Sequence, residues 1–255
     1  MSLSKNNIKW LKTLHLKKYR QKYNNFIAEG DKIVSELLQQ PKYVVHQIYA
    51  LASWIDQNEA ILQKSEVKYQ AINERELKLI SQLKTPNKTL AVVNIPTIID
   101  IDGVGFKKSL KSNWSLFLDG LQDPGNVGTI LRIADWFAIP NVLFGPGTVD
   151  LYNSKVLQAS MGAFLRVKCS SLDYTQLYSL SEEVSICLAD MGGQNVFDFT
   201  PPIAGILAIG NEGQGISNSI REMNPQCLSI ISPNGGAESL NAAVATGIIC
   251  AAIRR

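Results

Sequence analysis

Residues 116–136, LFLDGLQDPGNVGTILRIADW, pass from an apolar run into a loop of glycine, asparagine and acid, then into a helical pattern. Two later stretches repeat the change from apolar run to polar, glycine-rich loop: 206–217, ILAIGNEGQGIS, and 228–247, LSIISPNGGAESLNAAVATG. Open α/β sheets bind ligands at strand ends that carry such loops. Three loops spread over about 120 residues point to one site assembled from distant segments.

The helix after the first loop is readable residue by residue. Val127, Ile130, Leu131, Ala134, Phe137 and Ala138 recur at helical spacing and make one apolar stripe. Arg132 projects from the opposite face. A last helix over 240–253 is apolar on every side, which predicts burial in a core or a subunit interface. Ser239 fits its N-cap. Strands are predicted at 114–118, 141–144, 164–169, 184–188, 203–209 and 228–231, with helical patterns between most of them. That alternation is the signature of a largely parallel sheet covered on both faces.

Upstream, residues 96–113 hold Pro96, Gly103, Gly105 and a lysine-rich run with no sustained period, and are read as a linker. Domains are accordingly expected at 1–105 and 106–255. The N-terminal module reads as helices over 5–22 and 29–40, a β-rich 43–49, a helix over 53–62 and a short strand at 67–71. A helix from a capping-box-like Asn73 and Glu76 to about 83 and a strand at 90–95 complete it.

The formal net charge of +3 hides an asymmetry. Residues 1–105 hold 15 basic and 10 acidic residues, whereas 106–255 hold 10 and 12. The first 28 residues carry seven basic side chains and no acid, with Trp10, Tyr19, Tyr23 and Phe26 among them. This suits a phosphate backbone with some stacking surface, or equally a solvated helix face whose aromatics pack inward. No apolar run approaches the roughly 20 residues needed to cross a bilayer, so a cytoplasmic protein without a membrane partner is expected. Cys169, Cys187, Cys227 and Cys250 lie beside apolar runs, with no CxxC and no nearby histidine. They read as buried reduced thiols, and no metal is expected.

The loops also exclude chemistries. Gly210-Asn211-Glu212-Gly213-Gln214-Gly215 has the glycines in the wrong order for a dinucleotide fingerprint and lacks the GK[ST] of a P-loop. Both histidines, His15 and His46, lie in the N-terminal module, which argues against a serine or cysteine triad at the loops. What the loops offer is amide, carboxylate, hydroxyl and guanidinium: Asn126, Arg132, Glu212, Ser239 and Asn241.

In order and spacing, LQDPGNVGTILRIAD, IGNEGQGI and ISPNGGAESLNAAVATGI resemble motifs 1, 2 and 3 of the SpoU-type (TrmH-like) RNA ribose 2'-O-methyltransferases of the SPOUT superfamily. FIAEGDKIVSELL (26–38) and LKTPNKTLAVV (83–93) resemble the L30e-like substrate-binding module that precedes that domain in many members. The resemblance implies an α/β SPOUT fold with a trefoil knot, a largely parallel sheet with helices on both faces, and a smaller L30e-like α/β domain before it. It implies S-adenosyl-L-methionine as cofactor, RNA as substrate with ribosomal RNA favoured over transfer RNA, and a homodimer. Asn126 and Arg132 correspond to the motif 1 pair, Glu212 to the motif 2 acid, and Ser239 and Asn241 to the motif 3 pair. Backbone around Gly210, Ile231, Leu240 and, more weakly, Ala189 would line the cofactor pocket. The chain departs from the pattern at Ile231-Ser232-Pro233, where the family usually reads Ile-Pro-Met. Arg132 would stabilise a developing alkoxide or clamp a phosphate, being a poor base. Without the motif it would read as a surface arginine paired with Asp135. An RNA-binding relative without activity and a base-methylating SPOUT enzyme are the alternatives.

Overall fold

A computed structural model describes residues 3–96, 104–233, 235 and 238–254. The chain divides into two compact units, Met1–Thr97 with Tyr152–Gln158, and Ile98–Leu151 with Ala159–Arg255.

The first unit runs α1 (Lys5–Thr13), α2 (Lys17–Tyr23), β1 (Asn25–Glu29), α3 (Asp31–Leu37), β2 (Val45–Ala50), α4 (Ala52–Gln57), α5 (Glu59–Ser65), β3 (Tyr69–Ala71), α6 (Glu74–Ile80) and β4 (Thr89–Asn94). Its sheet has the order β1-β4-β2-β3, with β4 antiparallel to both neighbours. The predicted helix over 5–22 breaks after Thr13 because the buried Arg20 folds back onto the carbonyls of Leu14 and His15, satisfying groups that a helix end leaves open. The helix predicted from 29 begins instead at Asp31, since Asn25–Glu29 is a fully buried strand. The helix predicted over 53–62 is interrupted at Asn58, whose amide donates to the Trp54 carbonyl at 2.8 Å. The Asn73–Glu76 capping box is formed with both bonds at 3.0 Å. That helix stops at Ile80 because Ser81 and Gln82 turn to donate to the buried Glu29 carboxylate. Phe26, offered above as stacking surface, is wholly buried.

The second unit contains α7 (Val104–Ser112), β5 (Trp114–Asp119), α8 (Pro124–Trp136), β6 (Asn141–Phe144), β7 (Lys168–Ser171), α10 (Tyr174–Ser181), β8 (Ile186–Asn195), β9 (Gly205–Gly210), α11 (Asn218–Arg221), β10 (Gln226–Ser229) and α12 (Ala242–Ile253). Between β6 and β7 lies α9 (Ser154–Ala159), most of which belongs to the first unit. The six strands are all parallel in the order β10-β8-β9-β5-β6-β7. Strand alternation then sorts the core. Phe117, Leu143, Leu188, Ile206 and Ala208 pack with Phe106 and Leu110 of α7 and Leu177 of α10, while α8 and α12 cover the other face. The linker reading of 96–113 therefore fails over its second half: Phe106 and Leu110, one turn apart, bury a helix in this core. The strand predicted at 164–169 is also corrected. Ala163–Leu165 form a buried 3-10 turn, and the strand starts only at Lys168.

At the sheet edge, β10 pairs with Cys187 and Leu188 and then with Gln194 and Asn195, so residues 189–193 leave the ladder. From this edge strand the chain returns inward and lays α12 against α8, β8 and β9. No helix among the described residues is long and apolar enough to cross a membrane.

Candidate active site

The parallel sheet aims the ends of β5 and β9 in one direction, with Asp119 beside Gly210 in the ladder. The chain leaves β5 through Gly120 and enters α8 with Asp123 as N-cap, accepting from the Asn126 backbone at 2.7 Å, and Pro124 in the first turn. Asn126 is thereby fixed on the first turn of α8. Its Nδ2 donates to Glu212 Oε1 at 2.8 Å, and its Oδ1 accepts from Asn241 Nδ2 at 2.9 Å. Asn241 uses its own oxygen to cap α12, accepting from the amides of Ala243 and Val244. An ionised carboxylate can only accept, so Glu212 dictates which end of Asn126 faces it and leaves that oxygen free for Asn241. One residue from each of the three loops thus meets in a chain Glu212–Asn126–Asn241.

The middle loop is held in shape by its own backbone. Asn211 and Gly215 exchange both amide bonds, and the Asn211 side chain accepts from Gly213 and Gln214 and donates to the Gly120 carbonyl at 2.7 Å. A Cβ on Gly210 would stand 2.5 Å from the Gly215 carbonyl carbon, so only glycine permits this closure.

The remaining candidate residues are not drawn into that chain. Arg132 is exposed on α8 and makes no hydrogen bond or ion pair among the described residues. Its alternative reading as a partner of Asp135 fails, because Asp135 is held by Arg166 through bonds of 3.0 and 2.8 Å. Ser239 is exposed and is not the N-cap; the cap is Asn241. Within one chain the last helix is not buried all round, Val244 being 51% exposed, so the core alone does not cover it. Ile231 lies beyond the end of β10, not within the predicted strand, and is exposed. Of the thiols, Cys187 and Cys250 are buried and Cys169 and Cys227 half-buried, all four free. Burial pushes Cys187 and Cys250 up to about 12. Burial lowers the pKa of His15, far from these loops in sequence.

A flat, uncharged ring with a polar edge would find matching surface here. Ile231 and Leu240 are apolar yet 54% and 48% exposed, at the loop after β10, while Gly210, Gly213 and Gly215 offer bare backbone at the closed loop after β9. Half-buried Ala189 opens the 189–193 excursion from β8. The donor set therefore fits an adenosyl cofactor. The displaced proline leaves Ser232 free to accept from the Gly235 amide at 3.1 Å.

A parallel six-stranded α/β sheet whose three glycine- and asparagine-rich loops join at one polar cluster is the arrangement of a methyltransferase of the SPOUT class. Residues 113–251 match the SpoU rRNA Methylase family, and residues 5–91 the MRM3-like substrate binding domain. The chain belongs to the SpoU rRNA methylase family. A putative RNA methyltransferase of the TrmH family from Porphyromonas gingivalis is 35% identical, with a TM-score of 0.84, 99% of this chain and 98% of that one being covered. The 23S rRNA (guanosine(2553)-2'-O)-methyltransferase RlmP of Bacillus subtilis is 28% identical over 95% of this chain and 93% of its own length. AviRb from Streptomyces viridochromogenes, solved in complex with AdoMet, has a TM-score of 0.82 with 98% and 97% coverage, and at 21% identity its likeness is one of fold.

Two polar residues of this region escaped sequence reading. Asn211 reads in sequence as part of a glycine string, although an Asx turn after a strand is a recognisable device. Asp119 ends the apolar run LFLD and is 2% exposed; an acid closing a buried strand was the signal.

Proposed function

We propose that the chain transfers a methyl group from S-adenosyl-L-methionine to a ribose 2'-hydroxyl in structured RNA, with ribosomal RNA the favoured substrate. The observation that carries this is the Glu212–Asn126–Asn241 chain, which joins all three loops at one cluster of amide and carboxylate groups. S-adenosyl-L-methionine supplies an electrophilic methyl group, so the protein's task is chiefly alignment. Gly210, Ile231, Leu240 and Ala189 would hold the cofactor. Glu212 and the two asparagines would orient the ribose hydroxyl, with Ser239 at the mouth of the same loop. Full-length similarity to a 23S rRNA 2'-O-methyltransferase supports both the ribose and the rRNA.

Arg132 would stabilise charge on the ribose oxygen or grip the neighbouring phosphate. It lies about 9 Å along α8 from Asn126 and about 240° around it, which favours its supply across a homodimer. Val244 on α12 and Trp136, 83% exposed on the adjoining α8, offer apolar surface for such an interface. The unit of residues up to 97, with its basic excess, would be the RNA substrate-binding domain, and the protein would act in the cytoplasm. Incubation with labelled S-adenosyl-L-methionine and total RNA, followed by mapping of ribose methylation, tests the reading. Label on a ribose of rRNA supports it, label on tRNA moves the substrate, and label on a base or none at all overturns it.

A further inference from the structure

The loop that carries Glu212 is tied at its start to Asp119 and Gly120 and at its end to Asp119. At its start, Gly210 lies opposite Asp119 in the ladder and Asn211 donates to the Gly120 carbonyl at 2.7 Å. At its end, the Ser217 amide donates to Asp119 Oδ2 at 2.7 Å. The other oxygen of this carboxylate, Oδ1, accepts from the Tyr174 hydroxyl at 2.8 Å. Tyr174 opens α10, a helix anchored by a full capping box between Asp173 and Gln176 and by the buried Leu177 and Leu180. Partial burial and the adjacent Asp119 carboxylate push the phenol above its ordinary range, so it remains a donor at every working pH. Between the two ties the Asn211–Gly215 exchange and the Asn211 side chain shape the turn, Ile216 is buried in the core, and Glu212 stands within the turn, exposed.

We infer that Asp119 and Tyr174 are positioning residues that set the height of the 210–217 loop, and with it the cofactor surface at Gly210 and the reach of Glu212 to Asn126. A buried carboxylate is costly unless all its acceptor sites are used, and these two are used by one donor from the loop and one from a fixed helix. Asp119 thereby transmits the position of α10 to the loop without touching either reactant. Truncating it leaves the Ser217 amide and the phenol without their common acceptor. Removing the Tyr174 hydroxyl leaves the loop tied to a carboxylate that is itself no longer held.

This inference rests on the methyltransferase reading, and the test separates the two. Full-length Tyr174→Phe, Asp119→Asn and Asp119→Ala would be compared for S-adenosylhomocysteine affinity by calorimetry, for KM and kcat on total RNA, and for amide hydrogen exchange across 211–217. Losing a hydrogen bond of this kind predicts Tyr174→Phe to weaken cofactor binding at least about threefold, and Asp119→Ala at least about tenfold. Faster exchange at the Ser217 amide should accompany both, with RNA affinity in the absence of cofactor unchanged. Asp119→Asn should retain most of the affinity, since its amide can accept from Ser217 and donate to the phenol oxygen. Tyr174→Phe should add nothing in the Asp119→Ala background, because both act through one contact. If Asp119→Ala fails to fold, Tyr174→Phe and Asp119→Asn decide alone. An active wild-type enzyme whose Tyr174→Phe variant keeps cofactor affinity and Ser217 exchange would overturn the inference. A wild-type protein that transfers no methyl group would overturn the methyltransferase reading and this inference with it.

Discussion

Asn241 does two things with one amide, and substitutions can separate them. Its oxygen caps α12, accepting from Ala243 and Val244, and its nitrogen donates to Asn126 at 2.9 Å. Asn241→Ala removes both. Loss of an N-cap costs about 1 kcal/mol, and the exposed bond to Asn126 adds little, so a fall of about 2–4 °C in Tm is expected for a chain of this size. Asn241→Asp keeps an equally good cap and even gains from the helix dipole, so its Tm should match or slightly exceed the wild type. It cannot donate, however, and it places a second carboxylate across Asn126 from Glu212. The Asn126 oxygen then faces an acceptor, and turning the amide over to donate there would set that oxygen against Glu212. If the chain of three side chains positions the ribose, both variants should lose turnover by a comparable factor, on the order of a hundredfold, although only one loses stability. Thermal melts and single-turnover methylation of the mapped RNA give both readouts. Near-normal turnover in Asn241→Asp would refute the reasoning, reducing Asn241 to a helix cap and its bond to Asn126 to a surface contact.

Arg132→Ala should change stability by no more than about 0.5 kcal/mol, since the side chain is exposed and unpartnered among the described residues. Turnover should fall about a hundredfold, and Arg132→Lys should not restore it, because an ammonium does not reproduce a planar fork of donors. RNA affinity should drop steeply with added salt, as phosphate contacts release counterions, and the slope should flatten when Lys5, Lys9 and Lys12 are replaced together by Gln; an unchanged slope would remove α1 from the RNA surface. Glu29 is buried, which raises its carboxyl pKa above the unfolded value of about 4.5 despite the Ser81 and Gln82 donors. The native state therefore loses stability as pH rises through 4.5. Glu29→Gln should melt higher than wild type at pH 7, with the gain vanishing below pH 4.5 in calorimetric scans. A thiol reagent at pH 8 should label Cys169 and Cys227 ahead of Cys187 and Cys250, whose burial holds them near 12, whereas denatured protein should label at all four sites equally.

What the sequence disclosed followed the period of each segment. The stripe from Val127 to Ala134 has several turns of consistent spacing, and α8 came out buried along it, with Arg132 opposite. Val142–Phe144 is an unbroken apolar run, and Asn141–Phe144 is an interior strand within the predicted bounds. Short segments were decided by tertiary contacts that no local pattern carries. Helix α7 reads as linker in sequence because Phe106 and Leu110 are isolated apolar positions among lysines; they form a helix because a core accepts them. Strand β1 lies outside every predicted element except at Glu29, because Phe-Ile-Ala is compatible with either state. The misplacement of the α12 cap from Asn241 to Ser239 has the same origin. Both residues are good caps, and the choice between them lies in Asn126, 115 residues away, which accepts from the Asn241 amide and so holds it in place.

That coupling separates the two kinds of site information. Residue types in order were enough to name Asn126, Glu212 and Asn241, because each motif is local. Their meeting in one chain of hydrogen bonds depends on β5 and β9 lying side by side and on the last helix being drawn back under the loops from the edge of the sheet. Asp119 shows the limit most sharply. Its partners Tyr174 and Ser217 are 55 and 98 residues away, so nothing near it in the chain distinguishes a clamp from an ordinary strand-end acid. Burial makes the distinction: an acid at 2% exposure must have its oxygens satisfied, and asking by what leads directly to the loop it holds.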